Sequence, residues 1–214
     1  MNVSIPSGGS GAALRRLLAS LNCDGRRGLA LLALCALLVL PELGGEVARA
    51  ALRYERDAVA AGEWWRLLTA HVVHLDLEHA VLNSLGLVLM WALFARDYGW
   101  RAWAVIILVS VLVIDAGFWF RDRDLQWYVG SSGVLHGVMT AGTLAHLLRR
   151  DLDGWILATF IVVKLAYEQL TGALPFAEGG AAVIVNSHLY GALGGLIAGA
   201  ALRARREPVA KHSL

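Results

Sequence analysis

The chain has 214 residues, 57% of them apolar and 17% charged, with a formal net charge of +2 and a positive mean hydropathy of +0.58. That balance excludes an ordinary soluble domain, and the small charge gives no basis for a nucleic-acid partner. Cys23 and Cys35, one before and one inside the first apolar run, support neither a disulfide framework nor a cysteine metal site. About 20 apolar residues span a bilayer as a helix. The pattern predicts an all-α, polytopic membrane protein with six spans, near residues 28–44, 77–95, 101–120, 131–148, 154–172 and 186–203. Residues 1–27 then form a cytoplasmic segment, 28–203 the membrane domain and 204–214 a basic cytoplasmic tail.

In chain order, a Gly/Ser-rich lead, "SIPSGGSGAA", precedes "LRRLLASL", which suits the inner membrane surface. The first span, "GLALLALCALLVL", is short and is followed by Pro41, Glu42 and Glu46. A signal peptide has a similar look, with "ARAA" at 48–51 as its cleavage site. Under either reading residues 45–75 lie outside, and their "EVARAALRYERDAVAAG" suits a short amphipathic helix at the interface. With the N-terminus inside, twelve arginines and lysines are cytoplasmic, Arg203, Arg205, Arg206 and Lys211 of the tail among them. Six lie outside: Arg49, Arg53, Arg56, Arg66, Arg121 and Arg123. This asymmetry predicts N-in and C-in topology. The tryptophans fit interfacial belts, with Trp64, Trp65, Trp119 and Trp127 outer and Trp100, Trp103 and Trp155 inner.

Polar groups inside a membrane are costly and default to functional candidates. Spans two, four and six all run from outside to inside, and each carries such groups near its start: His79 and Asn83, then Ser132, then His188. The four therefore share one shallow layer below the outer face, within about two helical turns. Ser132 is a weak nucleophile unless an imidazole accepts its proton, and His188 is a base of suitable character. A tetrahedral oxyanion would need donors, which His79, Asn83 and the Ser132 backbone N–H can supply. Gly130 and Gly133 would allow an open backbone at the helix start. Gly133 with Gly137, and Gly191, Gly195 and Gly199, form small-residue faces that would bring spans four and six together.

These residues carry a resemblance. "HAVLN", "GSSG" and "HLYGALGG", in that order on spans two, four and six, with "WWR" at 64–66, resemble the rhomboid intramembrane serine proteases over about residues 28–203. "GSSGVLHG", "KLAYEQ" at 164–169 and "SHLYGALGG" are most similar to the rhombosortase branch. The resemblance implies a serine endopeptidase of the bacterial inner membrane, without cofactor or metal, whose site faces the periplasm. It implies a substrate bearing a C-terminal anchor: a Gly-Gly motif, one transmembrane helix and a basic tail. Ser132 would be the nucleophile, His188 the base, and His79 and Asn83 the oxyanion side chains. A general rhomboid protease with other substrates and a non-catalytic rhomboid-like binding protein are the alternatives.

Many rhomboids place Tyr four residues after the serine, whereas this chain has His136 there. His136 is expected to support the imidazole, with a competing base as the other reading, and Tyr167 in span five is a second possible support. His71, His74 and His79 have no zinc-hydrolase spacing. Lys164 and Glu168, four apart, with Asp115 at similar depth, read as a buried ion pair or triad. The sharper alternative has Glu168 reading the substrate's Gly-Gly segment.

Overall fold

The structure, a computed structural model, describes residues 9–172 and 184–202. The expected basic tail, with Arg203, Arg205, Arg206 and Lys211, lies outside the described residues. Two helices, α1 (Gly9–Ser20) and α2 (Gly25–Val39), open the chain. Pro41 has no backbone N–H to continue an α-helix, and a 3-10 turn takes over at Leu40–Gly44. Gly45, at φ +55°, then turns the chain into α3 (Gly45–Leu52).

The segment at 45–75 is more broken than one amphipathic helix. After α3 come β1 (Tyr54–Glu55), α4 (Arg56–Ala60) and α5 (Arg66–Thr69). Buried Arg66 holds the first of these breaks, because its guanidinium donates to the carbonyls of Ala50 (2.7 Å) and Arg53 (2.9 Å) at the end of α3. Those carbonyls are satisfied without continuing the helix. Of the expected "WWR" element, Arg66 points inward while Trp64 and Trp65 are exposed.

The long helices follow: α6 (Leu77–Phe94), α7 (Trp100–Phe120), α8 (Ser132–Leu148), α9 (Leu152–Thr171) and α10 (Val185–Ala201). The two-residue strand β2 (Trp127–Tyr128) pairs antiparallel with β1, Tyr54 opposite Tyr128, a small exception to the all-helical expectation. Among the described residues three stretches, Gly25–Leu52, Leu77–Phe94 and Trp100–Phe120, are by themselves long and apolar enough to cross a bilayer. The helices present Leu32, Leu85, Leu112, Val162 and Ile197 outward while burying Ser110, Asp115, His136, Glu168 and His188. Apolar outside and polar inside is the arrangement that lipid requires, and the chain is a multi-pass membrane protein.

Helix α8 lies at the centre, packed against α6, α7, α9 and α10, with α10 its most extensive partner. A Cβ built on Gly191 would lie 1.9 Å from the carbonyl oxygen of Gly133, and one on Gly195 would lie 2.0 Å from that of Gly137. The two backbones touch because neither helix carries a side chain there. At the far end of α8 both ring nitrogens of His146 meet carboxylates, Asp97 at 2.9 Å and Asp153 at 2.8 Å. This polar cluster, about 20 Å along the helix from Ser132 by its rise, ties α8 to α9 and to the α6–α7 joint.

Candidate active site

The approach to α8 is held from three sides. Pairing of Tyr128 with Tyr54 fixes the strand that leads into it. The Tyr128 hydroxyl donates to the Gly130 carbonyl at 2.7 Å, and the Gly130 N–H donates to Ala70 O at 2.9 Å. Gly130 has φ +121°, and a Cβ there would stand 3.2 Å from Cε1 of the His79 ring. Both conformation and space call for glycine at this position. Ser132 is then the first residue of α8, where backbone N–H groups have no partner within the helix. Of the two roles expected of Gly133, the geometry favours the close helix contact: its missing side chain makes room for Ser187 O, 2.8 Å from where a Cβ would sit. It is a packing glycine, not part of an open backbone.

The close helix contact brings Ser132 Oγ within 3.0 Å of His188 Nε2. On its other side, His188 Nδ1 is 3.0 Å from Glu168 Oε2, and Glu168 Oε1 accepts from Lys164 Nζ at 2.5 Å. An ionised carboxylate only accepts, so His188 Nδ1 carries the proton and Nε2 keeps a lone pair aimed at the serine hydroxyl. His136 stacks on His188, with ring centroids 4.1 Å apart and planes inclined by 17°. Its Nδ1–H donates to the Ser132 backbone carbonyl at 2.7 Å. His136 thus lies against the face of the imidazole and is bonded to the serine's carbonyl, not to its hydroxyl. Tyr167 is elsewhere: 41% exposed, it lines a groove of about 490 Å³ with Ile156, Phe160, Val163 and Lys164. The stacking place expected for either residue is taken by His136.

His79 and Asn83 sit in the first turns of α6, and Asp76 caps that helix by accepting from the His79 N–H at 2.8 Å. Asn83 is buried, with Nδ2 donating to His79 O at 3.0 Å. The His79 ring lies beside Gly130 and edge-on to His74 at 5.0 Å between centroids. His74 is buried in the loop before α6, its Nε2 3.3 Å from Ser131 Oγ. Burial, then the neighbouring His79, holds its pKa down at about 4, leaving a neutral ring next to the site at ordinary pH.

Not all polar residues gather here. Asp115 bonds His71 at 3.3 Å and takes no part in the Lys164–Glu168 contact, so of the two arrangements expected for these residues the pair is formed and the triad is not. Glu168 is 2% exposed, and its two oxygens face Lys164 and His188. A role in reading a substrate's Gly-Gly segment has no exposed carboxylate behind it. The link between Glu168 and the imidazole was missed from sequence, although Glu168 and His188 are both expected near the outer ends of their spans. His136, Glu168 and His188 offer three ligand atoms within 4.8 Å of one another. Two nearly parallel stacked imidazoles, however, hold their in-plane lone pairs in separate planes that do not converge on one ion. Of the other histidines, His71 turns to Asp115 and His74 to Ser131.

The family described as "Rhomboid domain" matches residues 61–205. The chain is similar to "Putative rhomboid protease YdcA" of Bacillus subtilis (strain 168), 26% identical over 65% of this chain and 67% of that one. It is similar to "Rhomboid protease GluP" of the same organism, 30% identical over 69% of this chain but 28% of that protein. A shorter match, 36% identical over 25% of this chain and 12% of the relative, is to "RHOMBOID-like protein 9, chloroplastic" of Arabidopsis thaliana. The matched segment thus spans about two thirds of the first relative and little more than a quarter of the second.

Proposed function

This chain belongs to the rhomboid family, and from the geometry of its site we propose that it is an intramembrane serine endopeptidase. The observation that carries the reading is the 3.0 Å approach of His188 Nε2 to Ser132 Oγ. As His188 Nε2 takes the hydroxyl proton, Ser132 Oγ bonds to the scissile carbonyl carbon and the carbonyl electron pair moves to oxygen. The Ser132 backbone N–H, His79 and Asn83 stabilise that oxyanion. Collapse re-forms the carbonyl and breaks the C–N bond, the His188 Nε2 proton going to the leaving amine. Water then hydrolyses the acyl-enzyme by the same base.

The motif likeness to the rhombosortase branch supports a finer reading. The substrate is a membrane protein with a C-terminal Gly-Gly motif, one transmembrane helix and a basic tail. Cleavage takes place at the periplasmic side of the bacterial inner membrane, by a six-span enzyme with both termini inside. Glycines before the substrate helix fit this chemistry, because a protease attacks extended backbone while a helix hides its carbonyls. The test is a reporter carrying such an anchor, made with Gly-Gly and with Ala-Ala, presented in membranes to wild type and Ser132→Ala. The expected result is cleavage by wild type alone, at least tenfold faster for Gly-Gly. Equal rates on both reporters would move the specificity to the general rhomboid kind, and cleavage by Ser132→Ala would remove the nucleophile.

His79→Ala and Asn83→Ala are each expected to lower kcat by about 10²–10³-fold, the usual loss for one oxyanion donor. KM for the reporter should stay nearly constant, and a loss confined to KM would assign these side chains to substrate binding.

A further inference from the structure

Ser132 and His188 are sufficient for the proton transfers just described, yet a third ionisable group stands behind the imidazole. Glu168 on α9 and His188 on α10 are joined at 3.0 Å across the helix boundary. From this contact we propose that Glu168 is a positioning residue for His188, with Lys164 as its counter-ion; the proposal rests on the serine protease reading above.

Three observations carry it. A buried carboxylate and a partly buried ammonium on one helix could satisfy each other alone, four residues apart on one face. Here one oxygen, Oε1, meets Lys164 and the other, Oε2, is turned to the imidazole. Next, stacking on His136 confines the ring to a plane but does not choose between its two flipped orientations. An acceptor on the Nδ1 side makes that choice, because only the Nδ1–H tautomer leaves Nε2 free to take the serine proton. Finally, the imidazole becomes a cation while the oxyanion exists, and a carboxylate already in place stabilises that charge without rearrangement. Lys164 keeps the resting group balanced: the carboxylate is paired before the imidazole is ever charged. His188 is faced by His136 and Ser132 from α8 and by Glu168 from α9.

The experiment uses the full chain in lipid nanodiscs. Glu168→Gln keeps the shape but offers an amide that can donate to Nδ1 and stabilise the wrong tautomer. Its kcat on the reporter should fall by up to about 10⁴-fold, the loss seen when a triad histidine's carboxylate partner is made an amide, with KM little changed. Labelling of Ser132 by a fluorophosphonate should slow in parallel. A downfield proton NMR signal from the His188 Nδ1–H should be present in wild type and Ser132→Ala and absent in Glu168→Gln and His188→Ala. Unchanged kcat in Glu168→Gln, with the downfield signal retained, overturns the positioning role and leaves the Ser132–His188 reading standing. Wild type that neither cleaves nor labels overturns the protease reading and with it the proposal. Should Glu168→Gln fail to fold, the NMR signal decides: its absence from wild type overturns the proposal.

Discussion

Ser132→Ala and His188→Ala should each reduce reporter cleavage by about 10⁴-fold or more, and the double variant should be no slower than either single one. The reason for non-additivity is geometric. The serine hydroxyl is a nucleophile only while the imidazole accepts its proton, and the 3.0 Å contact between Oγ and Nε2 makes the two groups one device. Removing either leaves the other with nothing to do. Residual turnover would come from oxyanion donors and from substrate positioning, which survive both substitutions. Cleavage rates for the two single variants and the double variant, measured side by side in membranes, check this. Losses that multiply would mean that the serine and histidine act independently, and the dyad would have to be abandoned.

The second large effect is expected from a residue that touches no substrate. Gly191→Val should abolish cleavage and lower the midpoint of thermal unfolding, because its Cβ would lie 1.9 Å from a backbone carbonyl, that of Gly133. A flexible side chain can move aside, but a helix backbone cannot without the whole helix shifting. Overpacking ordinarily costs about 1–3 kcal/mol, and a clash with main chain belongs at or beyond the top of that range. If α10 moves outward to relieve it, His188 moves away from Ser132, so activity is lost even in molecules that remain folded. Gly86→Ala is the control: the nearest atom to its new Cβ is the end of the Leu135 side chain at 3.1 Å, which can rotate. That variant should keep its unfolding midpoint within a few degrees. Equal tolerance of both substitutions would show that the α8–α10 contact yields without separating Ser132 from His188.

Much of this architecture was legible in the sequence because membrane helices announce themselves. The apolar runs expected at 77–95 and 101–120 correspond to helices at Leu77–Phe94 and Trp100–Phe120, since in lipid the backbone must satisfy itself within each segment. Ser132 and His188 stood out in the sequence for a related reason: polar groups are rare in such segments, and both fall near the starts of expected spans. The glycines at 133, 137, 191 and 195 likewise pointed to a close helix pair, because nothing else explains their spacing on two faces.

Other features were settled only by the tertiary structure. Lys164 and Glu168 announce an ion pair by their spacing of four, but whether the second carboxylate oxygen faces lipid, a substrate or an imidazole depends on how α9 rotates against α10. Asp115 read as part of that group by depth alone, and it went to His71 instead, because depth along a helix says nothing about which side of the helix a residue occupies. His136 was the expected support and Tyr167 a second possible one; α8 carries the first against His188 and α9 leaves the second half exposed. No sequence signal announces that Arg66 reaches back to the carbonyls of Ala50 and Arg53, where α3 ends. Periodicity and composition determine where helices run and which residues are costly to bury. Helix rotation and long-range hydrogen bonds, which join residues distant in the chain, determine what those residues meet.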